Sequence, residues 1–270
     1  MAQLKYKIAT IGSHSALQIF KGAHDEGFKT IAICKKGSER PYKMFNAADE
    51  IISINSYKDF PKIQNQLIKK NAIVIPHGSF VTYMGYQEVE KLKVLYYGNK
   101  KILKWESDRY LERQWLKNSG FKVPLLFKSP KDIDRLVIVK FMGAEGGKGY
   151  FLAKNEKDFN KKIKPYKLRK YVIQEYIIGV PLFIHYFYSS LTNEIEIMGC
   201  DIRYESNVDS LGRISARDQI VLPKIDPSYV IVGNIPVTVR ESFLPRLIEM
   251  GESVVEVSKK LAPPGLFGPF

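Results

Sequence analysis

The chain has 270 residues, of which 45% are hydrophobic and 26% are charged, a composition that excludes a disordered, fibrous or membrane-embedded protein. No stretch approaches the roughly 18 consecutive apolar residues of a membrane helix, and the opening sequence MAQLKYKIATIG leads directly into a strand pattern without a signal peptide. Two cysteines, Cys34 and Cys200, are too few for a disulfide framework or a zinc site, so we expect a cytoplasmic protein.

The charge balance is strongly basic, since 42 Lys and Arg face 28 Asp and Glu and give a net charge of +14. Such an excess attracts polyanions and phosphorylated small molecules alike. The basic residues are spread along the whole chain, without an RGG tract, an RNP-like motif or a basic arm. This distribution disfavours nucleic acid as the partner, and RNA binding is kept only as an alternative.

The first 80 residues alternate between strand and helix patterns. Apolar, β-branched runs predict strands, and apolar residues at helical spacing predict helices. In chain order these are a strand at Lys7–Ile11, a helix at Ser15–Glu26, strands at Lys29–Cys34 and Glu50–Ile54, a helix at Tyr57–Lys70 and a strand at Ala72–Ile75. This alternation predicts right-handed βαβ units and a parallel sheet.

The pattern changes after a further helix that is predicted over Ser107–Ser119. Strands with few helices between them then predict a largely antiparallel sheet. They cover Leu136–Phe141, Gly149–Ala153, Lys170–Tyr176, Leu182–Tyr188, Glu194–Asp201, Ile214–Val221 and Tyr229–Val232, before a last helix at Arg240–Lys260. We therefore predict an N-terminal Rossmann-like domain over residues 1–123 and a second, α+β region over residues 124–270.

A glycine-rich loop lies between two predicted strands, directly after Lys140. Its members are Gly143, Gly146, Gly147, Lys148 and Gly149. Glycines let backbone N–H groups close over phosphates, and the two lysines supply positive charge. The loop lacks the GxxxxGK[ST] pattern of a Walker loop. A tight β-hairpin with a basic tip is the alternative, and phosphate binding is the favoured interpretation.

Two strand ends of the predicted parallel sheet carry His and Ser. His14 follows the first strand in the run Gly12–Ser15, and Ser79 follows the fourth strand in the run His77–Ser79. Open α/β sheets bind ligands at the carboxyl ends of their strands, so we expect one shared crevice. A purely structural role, with Ser13 or Ser15 capping the first helix, is the alternative. His24 and His185 fall within a helix and a strand and are interpreted as structural.

A strand, a glycine loop and a second strand are followed by a strand that ends in acidic and aromatic residues at Gln174–Gly179. This order of elements resembles that of ATP-grasp ligases. Further runs form a more specific pattern, and the likeness that they carry extends over essentially the whole chain. They are Ile8–Leu17, Lys36-Gly37, Pro41–Lys43, Pro76–Phe80, Gly98–Ser107, Arg203–Asn207, Gly233–Val237, Arg240–Ser242 and Pro263–Gly265. This pattern is similar to that of the formate-dependent 5-formaminoimidazole-4-carboxamide ribonucleotide synthetases of archaeal purine biosynthesis.

The resemblance implies an ATP-grasp α/β fold and an ATP-dependent carbon–nitrogen ligase. Its substrates would be formate, ATP and 5-aminoimidazole-4-carboxamide ribonucleotide (AICAR), and its products the formylated ribonucleotide (FAICAR), ADP and phosphate, by way of formyl phosphate. It implies that His14, Ser79 and Asn234 contact AICAR, that Lys140 and the loop Gly143–Gly149 hold the ATP phosphates, and that Glu175, Tyr176, Ile177 and Glu205 face the nucleotide. No catalytic side chain is assigned, because positioning and charge stabilisation dominate such chemistry.

The resemblance also implies Mg²⁺, yet the chain offers no convincing pair of acidic ligands, and Glu194 and Glu196 are interpreted as solvated. We expect the magnesium ligands to lie beyond Phe270, in a segment that the family continues with. Two alternatives stay open, a truncated and inactive nucleotide-binding paralogue and another ATP-grasp ligase. We also expect a homo-oligomer.

Overall fold

A computed structural model describes residues 5–13, 15–141, 150–166, 169–205, 207–221 and 228–270. The chain forms two compact units. The first unit comprises Met1–Glu112 together with Val257–Gly268, and the second comprises Arg113–Glu256 together with Pro269–Phe270. The domain division 1–123 and 124–270 remains a proposal, and these units differ from it because residues 257–268 belong to the first. Within the described residues, no helix is long and apolar enough to cross a membrane.

The first unit is built on a parallel sheet of strands β1 (Lys7–Ile11), β2 (Lys29–Lys35), β3 (Glu50–Ile54), β4 (Ala72–Val74) and β5 (Leu95–Tyr96), in the order β3-β2-β1-β4-β5. This confirms the parallel sheet predicted from the sequence. Its helices are α1 (Ala16–Asp25), α2 (Arg40–Met44), α3 (Phe60–Lys69), α4 (Gly78–Met84), α5 (Tyr86–Glu90) and α6 (Leu103–Ser107).

Both faces of this sheet are buried, which explains the continuous apolar runs of its strands. Along β2 the side chains of Ile31 and Ile33 join one core cluster, which includes Phe60. Ala32 and Cys34 point to the other face, where they pack with a second cluster that includes Ala16, Phe20 and Tyr42. Successive residues of a strand point to opposite faces, so β2 is covered by helices on both sides.

Residues 257–268 pack into the first unit through Asn99. The side-chain amide of Asn99 donates to the carbonyl oxygens of Ala262, at 2.7 Å, and Gly265, at 2.9 Å. The buried hydroxyl of Ser258 accepts a hydrogen bond from the backbone N–H of Leu266 at 2.7 Å. These bonds satisfy the carbonyl groups of the turn that follows the last helix.

The second unit contains two sheets with antiparallel pairing, as predicted. Helix α7 (Arg109–Asn118) leads into it. Its strands are β6 (Leu126–Phe127), β7 (Val137–Phe141), β8 (Phe151–Ala153), β9 (Tyr171–Glu175), β10 (Phe183–Ser189), β11 (Glu194–Glu205) and β12 (Ile231–Pro236), together with β13 (Gly268–Pro269), whose first residue is the last of the first unit. The sheet orders are β6-β9-β7-β8 and β12-β11-β10-β13. The helices are α8 (Glu156–Lys162), α9 (Val208–Leu211), α10 (Ala216–Val221) and α11 (Leu244–Leu261), which belongs to the first unit from Val257 onward.

Helix α11 packs closely on the second of these sheets. A Cβ on Gly251 would lie 2.4 Å from Cδ1 of Ile195, a distance that real Cβ atoms do not show. The hydroxyl of Tyr186 also donates to the carbonyl oxygen of Leu247 at 2.7 Å. The absence of a side chain at Gly251 therefore lets the helix approach the strands.

One predicted strand is wrong, because Ile214–Val221 contains helix α10. The hydroxyl of Ser215 accepts from the backbone N–H of Asp218 at 3.2 Å and donates to its carboxylate at 2.7 Å. A serine followed three residues later by an acidic residue is a helix start signal, and here it prevails over the apolar residues of the segment.

Candidate functional site

The carboxyl ends of β1 and β4 form the first part of the candidate site. These two strands are parallel neighbours, with Ala9 of β1 paired to Val74 of β4. On one side of this pair lie β2 and then β3, and on the other side lies β5. The direction in which successive strands are added therefore reverses between β1 and β4, and open α/β sheets bind their ligands at such a point.

The turn after β1 requires a glycine at position 12. A Cβ there would lie 2.9 Å from Cε2 of Tyr42 and 3.1 Å from Sγ of Cys34. The backbone N–H of Gly12 donates to the carbonyl oxygen of Ile33 at 2.7 Å, and the hydroxyl of Tyr57 donates to the carbonyl oxygen of Gly12. The turn is thus fixed by β2 and by two tyrosines of the first unit.

His77 links the two strand ends through both ring nitrogens. Its Nε2 lies 3.0 Å from the carbonyl oxygen of Ile11, and its Nδ1 accepts from the backbone N–H of Ser79 at 3.3 Å. Because a carbonyl oxygen only accepts, the ring proton is on Nε2 and the imidazole is the neutral tautomer. His77 therefore caps α4 and ties it to β1.

The two predicted strand-end motifs meet at Ser13 and Ser79. The hydroxyl of Ser13 donates to that of Ser79 at 3.2 Å, and both residues are half-buried. His14, the remaining predicted residue of this crevice, lies outside the described residues. The structure thus brings Ser13 and Ser79 to the point where the strand order reverses.

Lys140 lies in the second unit on β7, which pairs with β8 and β9. Its neighbours Val139 and Phe141 are buried in the core below the sheet, whereas Lys140 is half-buried on the opposite face. The loop residues Gly143, Gly146, Gly147, Lys148 and Gly149 lie outside the described residues. A half-buried lysine on a strand is well placed to offer positive charge to a phosphate.

The carboxylate of Glu175 is engaged by the protein itself. Oε2 accepts from the backbone N–H of Leu125 at 3.0 Å, and Oε1 accepts from Nη1 of Arg135 at 3.3 Å. These two partners lower the pKa of Glu175, the Leu125 backbone most strongly. Glu175 therefore holds β9 to β6, and its side chain is committed to the fold.

Tyr176 and Glu205, both predicted to face the nucleotide, are brought together by Tyr229. Tyr229 is buried, and its pKa is raised by burial and by the neighbouring Tyr176 and Glu205. The pKa of Glu205 is raised as well, first by burial and then by the charge of Asp209. Tyr229 was not predicted as a site residue, because its only signal in the sequence is an aromatic side chain at the start of a predicted strand. Ile177, by contrast, is 59% exposed.

Asn234 lies on β12 opposite Arg203 of β11. Nη1 of Arg203 donates to Oδ1 of Asn234 at 2.8 Å. Arg203 also lies 4.2 Å from the centre of the Phe183 ring and 3.7 Å from Oδ1 of the buried Asp201. Asn234 was predicted as a site residue, whereas Arg203 and Asp201 were not assigned a role, because pairing across a sheet is not visible in the order of residues.

The described residues contain no group of three or more His, Cys, Asp or Glu side chains that could hold a metal ion. The ligands of Mg²⁺ stay a prediction.

Two family models match most of the chain. The family described as "Protein of unknown function (DUF1246)" matches residues 8–127, and that described as "Domain of unknown function (DUF1297)" matches residues 151–270. Among curated relatives, 5-formaminoimidazole-4-carboxamide-1-(beta)-D-ribofuranosyl 5'-monophosphate synthetases are 49% identical in Methanocaldococcus jannaschii, over 97% of this chain and 76% of the relative, and 48% identical in Pyrococcus abyssi, over 100% and 80%.

Solved structures agree with this relationship. An IMP biosynthesis protein, PurP, from Thermococcus kodakaraensis has a TM-score of 0.74 at 29% identity, over 97% of this chain and 78% of that one. An N5-carboxyaminoimidazole synthetase from Staphylococcus aureus, complexed with ADP, has a TM-score of 0.70 at 20% identity, over 95% and 65%.

The chain has the fold of an ATP-grasp protein. Its class is defined by the parallel sheet of the first unit, by the antiparallel sheets of the second and by these structural neighbours. Within that class, the chain belongs to the family of 5-formaminoimidazole-4-carboxamide ribonucleotide synthetases.

Proposed function

We propose that the protein joins formate to the amine of AICAR at the expense of ATP and releases FAICAR, ADP and phosphate. The observation that carries this proposal is the identity of 46–50% with synthetases of that name, over at least 97% of the chain. The hydrogen bond between Ser13 and Ser79 lies where the strand order reverses. It supports the proposed reaction, because a phosphorylated ribonucleotide suits a crevice at that point in a basic protein.

Formate has to be activated, because it is a poor acylating agent from which hydroxide would have to leave, and hydroxide is a very poor leaving group. A formate oxygen attacks the γ-phosphorus of ATP, the bond to the ADP oxygen breaks, and formyl phosphate forms. The amine nitrogen of AICAR then attacks the formyl carbon, phosphate leaves, and the nitrogen loses a proton. Binding and positioning of three substrates, together with exclusion of water from formyl phosphate, account for most of the catalysis.

The roles proposed for the described residues are those that the family resemblance implies. Ser79 and Asn234 contact AICAR, as His14 would, and Lys140 contacts the phosphates of ATP. Glu205 faces the nucleotide beside Tyr176. Since the carboxylate of Glu175 is held by Leu125 and Arg135, we assign its contribution, and that of Ile177, to the backbone. A cytoplasmic location and a homo-oligomer stay predictions.

The test is a coupled measurement of ADP release in the presence of ATP, Mg²⁺, formate and AICAR, with mass spectrometry of the ribonucleotide product. ADP release should require both formate and AICAR, and the ribonucleotide should gain the mass of one formyl group. ADP release without a need for formate would refute the proposed reaction. Saturable nucleotide binding without turnover, in a chain that also carries the family's magnesium ligands, would instead identify an inactive paralogue.

A further inference from the structure

One face of the sheet β10-β11-β12 carries a row of two polar side chains, Asp201 and Arg203, that have no role in the proposed reaction. Asp201 and Arg203 lie two residues apart on β11, so their side chains share a face of the sheet. Asp201 is paired with Phe183 of β10, and Arg203 with Asn234 of β12. The row therefore leads across three strands to Asn234.

Arg203 is fixed in place from two sides. Its guanidinium lies over the ring of Phe183, 4.2 Å from the ring centre, and its Nε lies 3.7 Å from Oδ1 of Asp201. The side chain of Asp201 is only 9% exposed, and its other oxygen is hydrogen-bonded to Nε2 of His185. A planar cation held by a ring and a buried carboxylate has little freedom to turn.

This fixed guanidinium decides which way the amide of Asn234 points. A guanidinium has donors and no acceptor, so the group that lies 2.8 Å from Nη1 of Arg203 has to be the oxygen of Asn234. The nitrogen of the amide is then turned away from Arg203. Asn234 is exposed, so it offers a ligand two N–H donors, while its oxygen is already engaged by Arg203.

The charge of the row argues against a phosphate as the group that Asn234 binds. The positive charge of Arg203 is offset by Asp201, and Glu205 lies two residues further along the same strand. A phosphate dianion prefers a net positive site. A neutral oxygen, such as a carboxamide carbonyl, requires only the amide donor.

We propose that Arg203 is a positioning residue, which orients Asn234 so that its amide nitrogen donates to the carboxamide oxygen of AICAR. This inference rests on the proposed function. It assigns Arg203 no direct contact with the substrate, and it makes the row Phe183–Asp201–Arg203 the determinant by which the protein recognises the carboxamide.

Calorimetric titration of the protein with AICAR, and separately with ATP, tests whether the amide nitrogen of Asn234 donates a hydrogen bond to AICAR. Asn234→Asp keeps the oxygen that Arg203 binds and replaces the amide donor by an acceptor. It should weaken AICAR roughly tenfold or more, because a hydrogen bond is lost and a carboxylate is set against a carbonyl oxygen, with ATP unchanged. Unchanged AICAR affinity would overturn the inference. If the unmodified protein fails to bind AICAR at all, the proposed function itself fails, and the two failures are thereby distinguished.

A double-mutant cycle tests whether Arg203 acts through Asn234. Arg203→Met should weaken AICAR in the unmodified protein and should have no further effect in an Asn234→Ala background. Additive losses would mean that Arg203 touches the ligand or supports the fold, and the inference would fail. Arg203→Lys, which keeps the charge, should retain more AICAR affinity than Arg203→Met, and it replaces Arg203→Met in the cycle if that variant does not fold. Arg246→Met, at an exposed position of α11, is the control and should change neither ligand.

A third arm identifies the ligand group. The ribonucleotide that lacks the carboxamide should bind Asn234→Asp and the unmodified protein equally well, because the group that Asn234 recognises is missing. Equal weakening of this ligand and of AICAR would place Asn234 at the phosphate or ribose instead and would overturn the assignment.

Discussion

Ser13 and Ser79, which are 66 residues apart in the sequence, share a hydrogen bond of 3.2 Å between their hydroxyl groups. Each follows a strand of the parallel sheet, and the two strands are neighbours at the point where the strand order reverses. The turn after β1 and the start of α4 therefore form one continuous polar surface.

Ser79→Ala should weaken the binding of AICAR and leave ATP nearly unaffected. The lost hydrogen bond to a charged ligand is expected to cost about 1.5–3 kcal/mol, roughly tenfold or more in affinity. Calorimetric titration with each ligand checks this. Equal losses for both ligands would mean that the hydroxyl maintains the fold. Ser107→Ala, which removes a hydroxyl bonded within its own helix, is the control and should change neither affinity.

Lys140→Ala should weaken ATP more than adenosine, because the variant removes a contact to phosphate and none to the base. We expect about a tenfold loss for ATP and no change for adenosine, measured by thermal-shift titration of the folded protein. Lys157→Ala, an exposed lysine of the same unit, should alter neither. A similar loss for adenosine would assign Lys140 to the stability of β7.

Gly12→Ala should destabilise the first unit. The new methyl group would lie 2.9 Å from a carbon of the buried Tyr42 ring, and such overpacking costs about 1–3 kcal/mol. Gly22→Ala is the matched control, since a Cβ at Gly22 in α1 meets no atom within 4 Å. It should stabilise the helix by about 0.5–1 kcal/mol. Urea unfolding of both variants measures the difference, and equal effects would contradict the packing argument.

Glu50 should contribute a pH-dependent part of the stability. Hydrogen bonds from Lys7, the larger effect, and from Lys70 lower the pKa of Glu50 below 4.5, its ordinary value. The stabilisation is therefore present above pH 4.5 and is lost as the pH falls through the lowered pKa. Because these side chains are about one-third exposed, solvent screening limits the effect to ~1 kcal/mol.

Urea unfolding of Glu50→Gln between pH 3 and pH 7 checks this dependence. The variant should be less stable than the unmodified protein near pH 7, and this deficit should shrink as the pH falls below 4.5 toward pH 3. Glu88→Gln, which breaks a more exposed pair with Lys91, should show almost no difference at either pH. A deficit for Glu50→Gln that stays constant from pH 7 to pH 3 would point to packing in place of charge.

The parts of the fold that could be predicted from sequence are those that follow from the order of patterns along the chain. The alternation of strand and helix patterns over the first 80 residues predicts a parallel sheet without any knowledge of which strands are neighbours. Arg203 could not be assigned, because its meaning depends on Asp201 beside it and on Asn234 from another strand. Tyr229 was missed for the same reason, since its partners Tyr176 and Glu205 come from distant parts of the chain.

Asn99 gains its two acceptors, the carbonyl oxygens of Ala262 and Gly265, only after the ribosome has translated residues 113–256 of the second unit. These contacts span 163 and 166 residues, and contacts of such separation form late. A nascent chain that has reached Glu112 therefore carries an unfinished first unit. The part of the protein that is synthesised first is thus completed only after most of the second unit has been synthesised.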